Sequence, residues 1–556
     1  MNMRDNPKLS GAATVVFVAM VILFLPWLGE TLFNSKGEPR EAIVAVSMLE
    51  SGNWILPVNY GSDIPFKPPF LAWLIAVFSW IFNGGVVTEY LSRLPSALAC
   101  MAMVFGGYRW ASRIRGERFG LIFSVITLTC FEVFRAGMAC RLDMVLTACM
   151  VLGLYSFYEL CDGMVRHRGA TWVWIWFLLS CAAMTKGPVG SLLPCFIAGT
   201  YFLLRGKPFW ATFFKMISIA VAALLPLAAW TYAAYQQGGD AFLDLMYEEN
   251  FGRLFGTMSY SSHENPFWYN FVTLIAGLLP WTLLIIFSLF NLRKRYRSPM
   301  KPAGLFALTA AALTVLFYCI PASKRSVYLL PAYPFICYGI ANIMEWAGAR
   351  KALKAYTWVM AVLAILAPVI FGVAQFVDID KIVLEPISWW CWAVLLIPVI
   401  LGAAWIANRH SPAGHSIAIV WSLYLAYISV IMPSVLNPRS DIHALDQIPH
   451  EAGVEIYSLG PQGTVKPRFF TLNYYLNDRI RPIESVLDGA DKPAGTVLLI
   501  DRDADTTGLW RYYDYKPLLQ RSCDHRRPIG IAIKNNLNIN LIDSIPLSVN
   551  YSTNEP

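Results

Sequence analysis

Apolar residues fall in long runs along most of this chain, with polar residues confined to short breaks between them. The runs cover about 11–28, 91–107, 119–134, 143–160, 171–185, 188–204, 216–235, 270–290, 303–320, 327–347, 356–376, 389–407 and 417–436. A helix crosses the hydrocarbon core of a bilayer with roughly 20 mostly apolar residues. The pattern therefore predicts 13 transmembrane helices. No signal-peptide cleavage pattern follows the first run, so 11–28 reads as an uncleaved span.

A further apolar run, 68–82 (PPFLAWLIAVFSWIF), is shorter and opens with two prolines. Counting it as a span would invert every later loop. It reads instead as a helix lying in the outer interface. Interfacial helices are expected over about 38–82. Residues 1–436 would form the transmembrane domain. After 436 the pattern changes to polar sequence with strand-like stretches at Val454–Leu459, Thr496–Ile500 and Ile529–Ile533. Residues 437–556 are long enough for a small soluble α/β domain. The expected fold class is an all-α polytopic membrane protein with that appended domain.

Loop charge orients the helices. Arg109, Arg113, Arg115 and Arg118 sit in one loop, Arg166 and Arg168 in another, and Arg205 and Lys207 in a third. Arg293, Lys294, Arg295 and Arg297 follow, then Arg350, Lys351 and Lys354. Every other loop is basic, as expected of cytoplasmic loops. The N-terminus is then cytoplasmic and 437–556 lies outside the cell membrane, in the periplasm if the cell has two membranes.

Composition agrees. The 556 residues are 56% hydrophobic and 14% charged, against roughly 25% charged in soluble domains. The net charge of +8 is no nucleic-acid signal, because the basic residues sit in short loops. The 11 cysteines lack metal-ligand or paired spacing and mostly fall in apolar runs.

The loops on the other face hold ionisable residues that orientation alone would deplete. They carry Glu38, Arg40, Glu41 and Lys67; then Arg135, Arg141 and Asp143; then Lys186. The long segment 236–268 adds Glu248, Glu249, Arg253, His263 and Glu264, and the next loop adds Lys324 and Arg325 before Tyr328. Ionisable groups near membrane depth are costly and mark function. Cations beside carboxylates suit a site that holds a phosphate while a base acts on an incoming hydroxyl. No P-loop, GxSxG or HExxH pattern occurs.

The stretches GEPREAIVAVSMLESGNWILPVNYG, FKPPFLAWLIAVFSWIF, LSRLPSALA, RLDMVLTACMVLG, MTKGPVG and KRSVYLLPAYP, in this order, resemble the GT-C membrane glycosyltransferases. The nearest branch is that of the bacterial lipid A 4-amino-4-deoxy-L-arabinose transferases and protein O-mannosyltransferases. The resemblance covers most of 30–345. It implies transfer of a sugar, with inversion, from a polyprenyl-phosphate carrier to a hydroxyl or phosphate of a periplasmic lipid, glycan or protein. Glu38 is what remains of the family's acid pair and stands first as the base, with Glu41 as its backup, and Asp143 matches the second family carboxylate. Arg40, Lys67, Arg141, Lys186, Lys324, Arg325 and Tyr328 take positions around the carrier phosphate. The sequence departs at Gly37, where the family carries the first of two acids, and at Phe66, where relatives carry an acidic metal partner. His263 matches a second metal ligand, but with its partner gone no essential metal or other cofactor is expected. A lipid-linked-sugar flippase is the alternative. The large outer domain, the lack of a repeat and the one-sided charges weigh against it.

Overall fold

The computed structural model describes residues 11–34, 37–61, 63–65, 67–249, 264–295, 300–377, 383–439, 454–460, 469–501, 504–517 and 528–534. The chain forms two compact units. The second holds 34–36, 59–63 and the residues from 439 onward, and the first holds the rest.

The first unit is helical. In chain order its earlier helices are α1 (Gly11–Phe24), α2 (Gly37–Ser51), α3 (Phe70–Asn83), α4 (Glu89–Arg115), α5 (Glu117–Leu128), α6 (Phe131–Gly137) and α7 (Leu142–Cys161). They continue with α8 (Arg168–Lys186), α9 (Val189–Leu204), α10 (Phe209–Tyr247), α11 (Tyr269–Gly277) and α12 (Trp281–Arg295). The last are α13 (Pro302–Cys319), α14 (Tyr333–Glu345), α15 (Arg350–Ala374), α16 (Trp389–Asn408) and α17 (Pro412–Ala426). Each apolar run named above lies on a helix or a bent helix pair. Among the described residues, seven helices are long and apolar enough to cross a membrane, or up to nine if each bent pair is one span.

Two runs that read as single helices are broken. α5 and α6 meet at 70°, and α11 and α12 at 107°. A break in an apolar helix orphans backbone groups, which is costly without water. Here the breaks serve each other. Phe131 N–H donates to Leu279 O at 2.9 Å, and Trp281 Nε1 donates to Thr129 Oγ1 at 3.1 Å. A second difference is α10, which runs on through Tyr247 with a kink at Gly239, where the sequence pattern suggested a polar loop from 236.

α3 has 14 residues, about 21 Å of helix. It buries Leu71, Ala72, Ile75 and Ala76 and leaves Trp80, Ile81 and Phe82 exposed. α4 starts at the N-cap Thr88, whose Oγ1 accepts from Leu91 N–H at 3.2 Å. This sets Arg93 in its first turns. An aromatic cluster fills the core between α4, α7, α13 and α14. Trp110 stacks on Tyr155 at 4.9 Å and packs against Tyr158, Phe306 and Tyr338.

The second unit is a five-stranded mixed sheet of β1 (Ile456–Leu459), β2 (Ile480–Ile483), β3 (Val497–Asp501), β4 (Tyr513–Pro517) and β5 (Pro528–Lys534). The order is β2-β1-β3-β5-β4, parallel for β2-β1-β3 and antiparallel beyond. A short helix, Phe470–Tyr475, packs Leu472 with Ile456, Ile480, Val497 and Leu499.

Candidate active site

α2 opens with Gly37-Glu38-Pro39-Arg40-Glu41. Proline is tolerated in a first turn because its missing N–H has no helical partner there. Carboxylates near a helix N-terminus are favoured by the dipole. Glu38 and Glu41 are three apart and turn to different partners.

Glu38 faces Arg93. The guanidinium donates to Oε1 at 2.8 Å through Nε and to Oε2 at 3.2 Å through Nη2. Cys140 N–H adds a bond to Oε1 at 3.0 Å. Arg93 is 2% exposed, and its Nη1 donates to Leu28 O and Thr31 O at 2.8 and 2.6 Å. Its guanidinium also lies over the Phe33 ring. Burial pushes the Glu38 carboxyl up, but Arg93 and the Cys140 N–H outweigh it and hold the pKa below the ordinary value.

Glu41 accepts from Arg40 Nη2 and Lys67 Nζ, both at 2.7 Å. Burial opposes its charge, yet Lys67 and Arg40 hold its pKa down at about 2. Burial and the neighbouring Arg40 draw the Lys67 ammonium down to about 7, against the upward pull of Glu41 and Asp143.

Asp143 lies in the first turn of α7, and Lys186 ends α8. Lys186 Nζ donates to Asp143 Oδ1 at 2.5 Å and sits 4.1 Å from the centre of the Tyr328 ring. Arg141 precedes α7, and its guanidinium lies over Gly37. A Cβ at residue 37 would meet Arg141 Nη2 at 2.3 Å. The glycine at 37 therefore makes room for a cation. Arg325 belongs to the same cluster. Burial lowers its pKa, and Tyr328, Arg141, Arg40 and Asp143 are the groups whose charges reach it.

Arg40, Lys67, Arg141, Lys186 and Arg325 thus gather around Glu41 and Asp143, an excess of positive charge. A cavity of about 810 Å³ opens beside them. Lys67, Lys186 and Tyr328 line one part of it; Val189, Leu227 and Phe317 make it apolar; Asp244 and Glu249 add carboxylates.

Lys324 is 6% exposed and donates to Pro321 O at 2.7 Å, tying down its own loop. His263, Phe66 and Arg253 lie outside the described residues. Among the described residues no three His, Cys, Asp or Glu side chains converge as a metal set.

Sequence reasoning missed Arg93. Its signal was one cation inside the apolar run 91–107, where an unpartnered charge is not tolerated. It also missed Glu132, 3% exposed, which accepts two bonds from Arg135 at 2.6 and 3.0 Å.

Residues 66–232 match the family model described as dolichyl-phosphate-mannose-protein mannosyltransferase. The undecaprenyl phosphate-alpha-4-amino-4-deoxy-L-arabinose arabinosyl transferase of Edwardsiella ictaluri is 26% identical over 410 residues, which are 70% of this chain and 71% of that protein. Its namesake from Erwinia tasmaniensis is 24% identical over 489 residues, 84% of this chain and 85% of that one. The crystal structure of ArnT from Cupriavidus metallidurans bound to undecaprenyl phosphate superposes with a TM-score of 0.73 at 18% identity, over 95% of this chain and 99% of that one. That likeness shows a shared fold. The mannosyltransferase-family match, the arabinosyl transferase relatives and the shared fold are together consistent with a glycosyltransferase.

Proposed function

We propose that this enzyme moves a sugar from undecaprenyl phosphate to a phosphorylated glycolipid on the periplasmic side of the inner membrane. The observation that carries the reading is the cavity. An apolar space with Lys67 and Lys186 in its wall suits an amphiphile with a phosphate head. The named relatives bear the same carrier in their names.

In this reading Arg40, Lys67, Arg141, Lys186 and Arg325 stabilise the carrier phosphate as it leaves, the electrostatic role that often dominates such reactions. Tyr328 supports Lys186 through its ring face. Lys324 shapes the loop. The acceptor oxygen attacks the anomeric carbon from the side opposite the carrier. The bond from that carbon to the carrier oxygen breaks, its electron pair leaves with undecaprenyl phosphate, and the configuration inverts.

The carboxylates guide the choice of acceptor. Glu38 is held by Arg93, Glu41 by Arg40 and Lys67, and Asp143 by Lys186. Glu38, first in line as a base on sequence grounds, is better read as a strut, since both its oxygens are occupied. Asp143 and Glu41 orient the cations. A site whose carboxylates are so engaged is matched to an oxygen that is already ionised. Purified enzyme given an undecaprenyl-phosphate-linked aminopentose should glycosylate a phosphorylated glycolipid and not its dephosphorylated form. Equal transfer to both would refute the acceptor assignment; transfer to neither would refute the donor.

We also read 13 spans here, with α3 in the outer interface and the second unit in the periplasm. A cysteine introduced at Asp488 should react with an impermeant maleimide in cells with a permeabilised outer membrane, and one at Arg166 should not. Labelling of position 166 alone would reverse the topology.

A further inference from the structure

The cavity of the helical unit holds polar groups that its cations do not account for. Tyr318 and Ser323 line it together with Lys67 and Lys186. Both residues are more than nine-tenths buried, Tyr318 at 8% exposure and Ser323 at 5%. Among the described residues neither hydroxyl has a hydrogen-bond partner. Thr231, also in the wall, is already engaged, since its Oγ1 donates to Leu227 O at 2.9 Å. A buried hydroxyl normally finds a partner, and one left open in a cavity wall points to a ligand.

Contacts within the helical unit hold both residues in place. Tyr318 lies in the last turn of α13. Its ring packs on Tyr328 at 5.5 Å and meets Phe317 edge-on at 5.1 Å. Its carbonyl accepts at 2.8 Å from Asn270 Nδ2, in the first turn of α11. Ser323 follows in the loop that Lys324 Nζ closes on Pro321 O at 2.7 Å. Asn265 Nδ2 donates to Lys324 O at 3.2 Å, and Ser323 pairs with Glu264 through the backbone. Lys324 therefore fixes the residue before it on the cavity wall.

Position and chemistry separate a sugar from a phosphate here. Lys186 Nζ lies 4.1 Å from the centre of the Tyr328 ring, and the Tyr318 ring packs against that same ring. Tyr318 is thus a neighbour of a cation read as a phosphate contact. A donor sugar is joined directly to its phosphate, so it occupies the adjoining space. The cations around Glu41 and Asp143 already answer the phosphate charge. A sugar presents neutral hydroxyls, each both donor and acceptor, and a phenol or serine hydroxyl matches them in both senses. A few placed polar groups in an apolar wall are what orients a small molecule.

We propose that Tyr318 and Ser323 are specificity-determining residues: their hydroxyls bond hydroxyls of the donor sugar and discriminate among sugars on the same carrier, while the cations hold the carrier phosphate. This rests on the reading of the cavity as the donor's site. A site built to bond a substrate hydroxyl rejects an analogue that lacks it, because its own buried groups are then left unpaired.

Two probes are titrated onto the full-length protein in detergent: undecaprenyl phosphate, and the same carrier bearing an aminopentose. Tyr318→Phe keeps the buried ring and removes the hydroxyl. It should raise Kd for the sugar-bearing carrier about tenfold and leave undecaprenyl phosphate within about twofold of the parent. Ser323→Ala should act in the same direction by about threefold, and the double variant should exceed either. An equal loss for both probes would make Tyr318 a phosphate contact or a structural residue and overturn the proposal. Parental Kd for the sugar-bearing carrier in the double variant would overturn it as well. A parent protein that binds neither probe removes the donor reading of the cavity, and the proposal with it. A parent that binds both, with variants indistinguishable from it, removes the sugar contact alone.

Discussion

Arg93→Met is expected to destabilise the helical unit by ~3–5 kcal/mol, the range for breaking a buried ion pair from one side. The substitution leaves Glu38 buried with the Cys140 N–H as its remaining bond among those described above. It also orphans Leu28 O and Thr31 O, each worth about 1 kcal/mol or more when unpaired. Arg93→Lys is not a rescue, since an ammonium cannot make the two parallel bonds of the guanidinium. The double variant Arg93→Met, Glu38→Met should recover most of the loss, because replacing both members of a buried pair by apolar groups is often close to neutral. Denaturant unfolding in detergent measures all three. A cost below about 1 kcal/mol for Arg93→Met would show that water reaches the pair and that Glu38 is free to act in catalysis.

Lys67→Ala should weaken the binding of undecaprenyl phosphate by roughly 10–150-fold, the equivalent of ~1.5–3 kcal/mol for a bond to a charged group. The effect carries a pH signature. In the empty site the ammonium titrates at about 7, through burial and the neighbouring Arg40, with Glu41 and Asp143 pulling the other way. A bound phosphate favours the charged form, so the pKa rises on binding. Lys67 therefore contributes fully below pH 7, and its contribution is lost as pH rises through the higher, bound-state value. Between the two, affinity should fall up to tenfold per pH unit. The window from pH 7.5 to 9 isolates Lys67, because the phosphate monoester is already fully ionised there. Lys67→Ala should bind weakly and nearly independently of pH across it. A parent protein whose affinity is flat from pH 7.5 to 9 would mean that Lys67 stays clear of the phosphate.

Much of the site was legible because membrane context makes charge conspicuous. Arg40, Glu41, Lys67, Asp143, Lys186 and Arg325 stood out against apolar neighbours, and the structure brings them together. The roles within the set were not legible. Glu38 and Glu41 look alike in sequence, three residues apart on one helix. One meets a buried guanidinium and the other a partly buried pair of cations. Gly37 looked like a lost acid, yet its missing side chain is the space that the Arg141 guanidinium occupies. Lys324, expected at the carrier phosphate, donates to a carbonyl of its own loop.

Helix content followed from the sequence by itself, because a run of about 20 apolar residues has no cheaper way to bury its backbone in lipid than to form a helix. The strand stretches near 456, 497 and 530 followed for a similar local reason. Two things were left to the tertiary structure. One was where apolar helices break, since the α5–α6 and α11–α12 bends meet and bond to each other through Phe131 N–H and Leu279 O and through Trp281 Nε1 and Thr129 Oγ1. The other was pairing across long separations: Arg93 with Glu38, Lys186 with Asp143, Tyr60 with Asp478. Hydrophobic pattern says which face of a segment is buried, but a charge or a ring finds its partner only when packing has decided which distant segments meet.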